Sequence, residues 1–186
     1  MTLTISDIKI GITGAPSAGK TYALNRVLDE LRKFDDELKI GGMINEPIMV
    51  ENRKVGFTVE NILTGEKECF AHKELESNKI IDSMPVDFDV LERVGVEAIK
   101  TAWDDCDIIV IDEVGKIEVE CPAFVNIVKD VIESEKPLLV TLHKKSRNPL
   151  LQDIRRKDDI RILEVTKTNR NLLPFKIVRL LNGELQ

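Results

Sequence analysis

The 186-residue chain is long enough for one sizeable core and short for two. With 42% hydrophobic and 32% charged residues, and no apolar run near the ~20 needed to cross a bilayer, it falls outside the disordered and membrane-spanning classes. A net charge of −6, with basic residues grouped only at Lys144-Lys145, Arg147 and Arg155-Arg156-Lys157, argues against a nucleic-acid-coating protein.

The start, Met1 to Asp7, lacks the basic and apolar regions of an export leader. Ile8 to Ile12 then alternates as a first strand. Leu24, Val27, Leu28 and Leu31 recur at helical spacing and predict a helix over 20–34. Ile40 to Ile44 reads as a second, short strand. Two β-rich pieces around Leu63-Thr64-Gly65-Glu66 predict a hairpin insertion over about 54–71. Leu91, Val94, Ala98 and Ala102 mark a helix, and the continuous run Ile108 to Ile111 predicts a strand buried on both faces. Phe124, Ile127, Val128 and Val131 define the next helix, with Pro122 in its first turn. Leu138 to Leu142 is another buried strand, Asn148-Pro149 opens a short helix, and Ile162 to Val165 gives the last strand. A final helix spans 174–181 and ends near Asn182-Gly183. Strands alternating with helices predict an α/β architecture, and the lack of repeats or linkers predicts one domain over 1–186. Cys69, Cys106 and Cys121 have no metal-ligand spacing and cannot all pair, which predicts reduced thiols in a cytoplasmic protein.

Gly14-Ala15-Pro16-Ser17-Ala18-Gly19-Lys20-Thr21 fits the P-loop pattern between a strand and an amphipathic helix. Glycines let the backbone wrap a phosphate group closely, and successive N–H groups at a helix start favour an anion. Lys20 is placed to reach the β- and γ-phosphates of a nucleoside triphosphate, and Thr21 to offer a hydroxyl to magnesium. The strand Ile108 to Ile111 ends in Asp112-Glu113. Asp112 there can hold magnesium through water, opposite Thr21, while Glu113 projects the other way by strand alternation and can orient an attacking water. Lys116, just after Gly115, is a further candidate for phosphate.

Gly14 to Thr21, the run Ile109-Val110-Ile111-Asp112-Glu113-Val114-Gly115-Lys116-Ile117-Glu118, and Glu164-Val165-Thr166-Lys167-Thr168-Asn169-Arg170 together resemble the small nucleoside-triphosphatases first recognised in thermophilic archaea and bacteria, a group with a human cancer-related member. Gly42-Met43, Gly56-Phe57, Phe124 and Thr141-Leu142-His143 extend the resemblance over nearly the whole chain. It implies a three-layer RecA-like P-loop fold with a mainly parallel sheet, and slow, magnesium-dependent hydrolysis of several nucleoside triphosphates to diphosphate and phosphate. It also implies nucleotide contacts at Ala15, Pro16, Ser17, Ala18, Gly19, Lys20, Thr21 and Tyr22, and at Ile109 to Lys116. The chain departs from the family pattern at Ile44-Asn45-Glu46-Pro47-Ile48, where an acidic-Val-Arg segment is usual. It departs again at Cys121, where serine is usual, and at Tyr22, which replaces a second threonine.

Other residues carry less. His143, at the end of a strand, can sense a γ-phosphate or simply be structural; His72 reads as surface. Arg147, Arg155 and Arg156 can supply transition-state charge or form a solvated helix face. Asn169-Arg170-Asn171 can edge a base, and Trp103 and Phe124 read as core. Three functions fit: hydrolysis of nucleoside triphosphates, phosphoryl transfer to a small acceptor, and a nucleotide-dependent switch for a protein partner. Asp112-Glu113 and the lack of an arginine-rich lid favour the first. No Asn-Lys-x-Asp motif is present to select guanine, so broad base use is expected, with neither membrane nor nucleic acid as partner.

Overall fold

The computed structural model describes residues 5–184, so the first four residues of the start read for a leader lie outside it. Strand β1 (Lys9–Gly14) leads through the P-loop into α1 (Lys20–Phe34). Next come β2 (Ile40–Val50), β3 (Arg53–Asn61) and β4 (Lys67–His72), and a small two-stranded ribbon, β5 (Ile80–Ile81) and β6 (Met84–Pro85). A helical run follows: α2 (Phe88–Val90), a π-helical stretch (Leu91–Val96) and α3 (Glu97–Asp105). The remainder alternates: β7 (Ile108–Val114), a 3₁₀ turn (Glu118–Glu120), α4 (Pro122–Glu133), β8 (Leu138–His143), α5 (Pro149–Arg156), β9 (Ile160–Glu164) and α6 (Leu173–Leu181). Asn148 caps α5 as its sequence predicts, accepting from the Leu150 N–H at 3.0 Å.

Seven strands form one sheet in the order β4-β3-β2-β7-β8-β1-β9, parallel from β2 to β9. Side-chain parity sorts the core into two layers. On one face Ile108, Val110 and Leu139 pack with Leu24, Val27 and Leu28 of α1 and Ile177 of α6. On the other, Ile109, Ile111, Leu138 and Val140 pack with α3, α4 and α5 through residues such as Ile99, Phe124 and Leu151. Helices on both faces explain why Ile108 to Ile111 is uninterrupted apolar sequence. Gly42 sits where β2 crosses β7: its φ is +117, and a Cβ would lie 1.9 Å from the Val110 carbonyl oxygen. Among the described residues, no helix is long and apolar enough to cross a membrane.

Three expectations change. The second strand does not stop at Ile44 but continues for six residues, through Asn45-Glu46-Pro47 to Val50. Its pairing with β7 ends at Ile44↔Asp112, so Pro47 lies where only β3 pairs with β2 and a missing N–H costs no ladder bond on the β7 side. Glu51 and Asn52, both at positive φ (48 and 60), close the β2–β3 hairpin. The expected hairpin insertion is therefore β3 and β4 added to the edge of the main sheet, with a register shift at Ile48/Met49 and another at Phe57/Thr58. The last strand begins two residues earlier than expected and ends at Glu164, because Ile160 completes the parallel register with Lys9 of β1.

Candidate active site

The P-loop joins the C-terminal end of β1 to the start of α1. Ala15, Pro16 and Ser17 are exposed, whereas Ala18 is buried as the loop's anchor and its N–H donates to the Ala15 carbonyl at 3.0 Å. Ser17 and Gly19 take positive φ (62 and 106), which turns successive N–H groups toward one concavity. A side chain at Gly19 would be strained by its φ and would meet Arg170 Cδ at 3.2 Å. No side chain caps α1, so its first N–H groups are left to an anion. Lys20 Nζ lies over the loop, donating to the Gly14 carbonyl at 3.3 Å and standing 3.9 Å from Glu113 Oε2.

Parity explains how Asp112 arrives. It follows Ile108 and Val110 on the α1 face, and Thr141 follows Leu139 on the same face of β8. Thr21 Oγ1 donates to Asp112 Oδ2 at 3.0 Å, and Thr141 Oγ1 donates to Asp112 Oδ1. Burial pushes the Asp112 carboxyl up to about 7; the Glu113 charge pushes the same way, against the hydrogen bonds from Thr141 and Thr21 and the Lys20 charge. Alternation turns Glu113 away from Asp112, and its carboxyl still reaches the P-loop lysine, with Oε2 3.9 Å from Lys20 Nζ. Just past the pair the β7–β8 register slips: Ile111 pairs with Val140, but Val114 with Leu142, three steps against two. The extra residue returns Val114 to the face of Ile109 and Ile111.

Sequence reasoning gave Glu118 and Asn45 no role, yet both are buried beside this pair. Asn45 Nδ2 donates to Glu118 Oε1 at 2.6 Å, while Asn45 Oδ1 is buried without a partner. A Cβ on Gly115 would come within 2.6 Å of Glu118 Oε2 and 3.0 Å of Glu113 Oε1, so the two carboxyls flank one glycine. Burial raises the Glu118 carboxyl to about 8, helped by the Glu113 charge. Glu118's place in the Asp-Glu-Val-Gly-Lys-Ile-Glu run was its one sequence signal.

The other candidates separate. Ile109, Val110 and Ile111 are wholly buried, with their side chains in the two core layers, and Val114 joins them. Lys116 is exposed and stands 3.5 Å from Asp82. His143 pairs with Gly14 across β1 and β8, so it neighbours the P-loop; its Nδ1 is buried without a partner, and burial lowers its pKa. Arg155 donates to the carbonyls of His143, Ser146 (2.9 Å) and Lys144 (3.1 Å), holding the turn after β8. Arg147 and Arg156 are exposed, His72 accepts from the Glu74 N–H in a turn, and Phe124 is wholly buried.

A P-loop on β1, an Asp-Glu pair at the end of β7 and a strand, β8, inserted between them define a nucleotide-binding P-loop protein of the RecA-like type. Comparison with known proteins finds the same fold and family. The NTPase family model matches residues 9–178. The nucleoside-triphosphatase THEP1 of Thermoplasma volcanium is 37% identical over 177 residues, spanning 95% of this chain and 98% of that protein. THEP1 of Picrophilus torridus is also 37% identical, over 95% and 97%. The crystal structure of THEP1 from Aquifex aeolicus superposes with a TM-score of 0.83 at 27% identity, covering 94% of this chain and 99% of that one. The solution structure of a human cancer-related nucleoside triphosphatase gives 0.76 at 25%, over 96% and 100%. The chain belongs to the NTPase family.

Proposed function

We propose that this protein hydrolyses nucleoside triphosphates, ATP, GTP, CTP and UTP alike, to the diphosphate and phosphate, slowly and with magnesium. The observation that carries the reading is the meeting of Lys20, Thr21, Asp112 and Glu113 at one end of the P-loop. Its relatives' names point the same way.

The loop N–H groups and Lys20 bind and orient the phosphates. Thr21 and Asp112 would hold magnesium; their hard oxygen donors suit it. The remaining positions on the ion would fall to phosphate oxygens and water. When bound, the ion neutralises charge on the phosphates. Thr141 fixes the Asp112 carboxylate from the β8 side. Glu113, partly exposed and facing Lys20, orients a water toward the γ-phosphate and accepts its proton. The engagement of Arg155 with three carbonyls supports slow turnover, because it occupies the donors that an arginine finger would bring to the transition state. Three free thiols support a cytoplasmic setting, and a core shared across one sheet supports a single domain.

The test is Glu113→Gln. Nucleotide affinity should hold within about threefold, while phosphate release with ATP and magnesium falls at least tenfold (about 1.4 kcal/mol or more in barrier). Phosphate release at the wild-type rate would remove Glu113 from the reaction.

A further inference from the structure

The charged end of the P-loop fixes which way a nucleotide must run. Lys20, Asp112 and Glu113 gather on the side of β8 and β7, which sets the γ-phosphate there. The nucleoside then leaves on the opposite flank of β1, which belongs to β9 and the turn after it.

That turn is built firmly. Asn169 Oδ1 accepts from the Thr166 N–H at 2.8 Å, its Nδ2 donates to the Glu164 carbonyl at 2.9 Å, and the Arg170 N–H donates to the Thr166 carbonyl at 3.0 Å. Arg170 therefore projects from a fixed backbone. Its aliphatic stem lies along Gly19, with Cδ 3.2 Å from the position a Cβ would take there. Its guanidinium stands 5.7 Å from the centroid of the Tyr22 ring. Tyr22 is 47% exposed, and its hydroxyl donates to Asn171 Oδ1 at 3.2 Å. Among the described residues Arg170 makes no ion pair. An arginine and a tyrosine with open π surfaces thus stand beside the P-loop where the nucleoside emerges.

We propose that Tyr22 and Arg170 form a stacking platform for the nucleobase of the bound nucleotide, with Asn171 holding the tyrosine in place. The proposal rests on the nucleotide reading above. Every base has a π face, and a guanidinium or phenol ring takes purines and pyrimidines without reading their edges. This gives broad base use a structural cause.

Tyr22 is the chain's one tyrosine, so labelling with 3-fluorotyrosine yields a single ¹⁹F resonance. With magnesium, ATP and CTP should shift that resonance through the ring current of the base, and inorganic tripolyphosphate should move it far less. In parallel, calorimetric titration of R170A and Y22A should show ATP binding about five- to hundredfold weaker, the loss typical of one stacked base. Tripolyphosphate affinity should change under threefold in the same variants. Equal losses for ATP and tripolyphosphate would make Arg170 a phosphate ligand and overturn the platform. So would a ¹⁹F resonance indifferent to the base, or unchanged ATP affinity. If R170A folds poorly, R170K serves: charge without the planar fork should keep tripolyphosphate and lose part of the ATP affinity. A wild-type protein that binds ATP with a base-dependent ¹⁹F shift but hydrolyses none would sink the proposed activity and leave the platform standing.

Discussion

Glu118 offers a direct measurement of what the buried carboxyls cost. Its carboxyl is raised from 4.5 to about 8 by burial and by the charge of Glu113. The folded state therefore keeps a proton that the unfolded state releases above 4.5, and raising the pH between 4.5 and about 8 favours unfolding. At about 1.4 kcal/mol per unit, the ceiling for this one group is about 5 kcal/mol across the window. Glu118→Gln keeps an oxygen to accept from Asn45 Nδ2 and removes the titration. Its stability relative to wild type should climb steadily between pH 5 and 8, by about 2–4 kcal/mol, and be small at pH 5. Urea unfolding followed through the single tryptophan, Trp103, reads this at pH 5, 6.5 and 8. Asp112 titrates in both proteins, and its charge also raises Glu118, so the difference reports Glu118 together with its coupling to Asp112. Parallel stability–pH curves for the two proteins would refute the reasoning, because they would mean that Glu118 is ionised in the folded state throughout.

Two further outcomes follow from the site. Thr141→Val removes a fully buried hydroxyl that orients Asp112, so the magnesium concentration for half-maximal hydrolysis should rise about 10- to 100-fold; an unchanged magnesium curve would detach Thr141 from the metal. Arg155→Ala should lower stability by about 2–3 kcal/mol through the lost carbonyl contacts, seen as a lower urea midpoint, with kcat of the folded variant changed less than tenfold. A loss near a thousandfold would instead mark it as an arginine acting on the transferring phosphoryl group.

The elements with a strong local signature were legible without coordinates. The run Ile108 to Ile111 is buried on both faces because helices cover both, and a strand with no polar face has no other place in an α/β sheet. The helix over 20–34 and the Asn148 cap were equally plain, since helical period and capping chemistry act within a few residues. Strand β2 beyond Ile44 was not. Asn45-Glu46-Pro47 has poor strand propensity, and only its pairing with β3 shows why it extends.

The P-loop and Asp112-Glu113 were set by sequence, because a phosphate cradle is a local backbone device and its residues are adjacent in the chain. What tertiary structure decided was which distant groups join them. The joining of β7 and the P-loop in one sheet set Glu113 3.9 Å from Lys20, and the sheet's parity delivered Thr141 to Asp112. Packing brought Asn45 to Glu118 across 73 positions and set Arg170 against Tyr22. It also tied Arg155 to carbonyls that no spacing rule connects with it. Contacts between residues far apart in sequence depend on strand order and register, and those are fixed by the whole core at once.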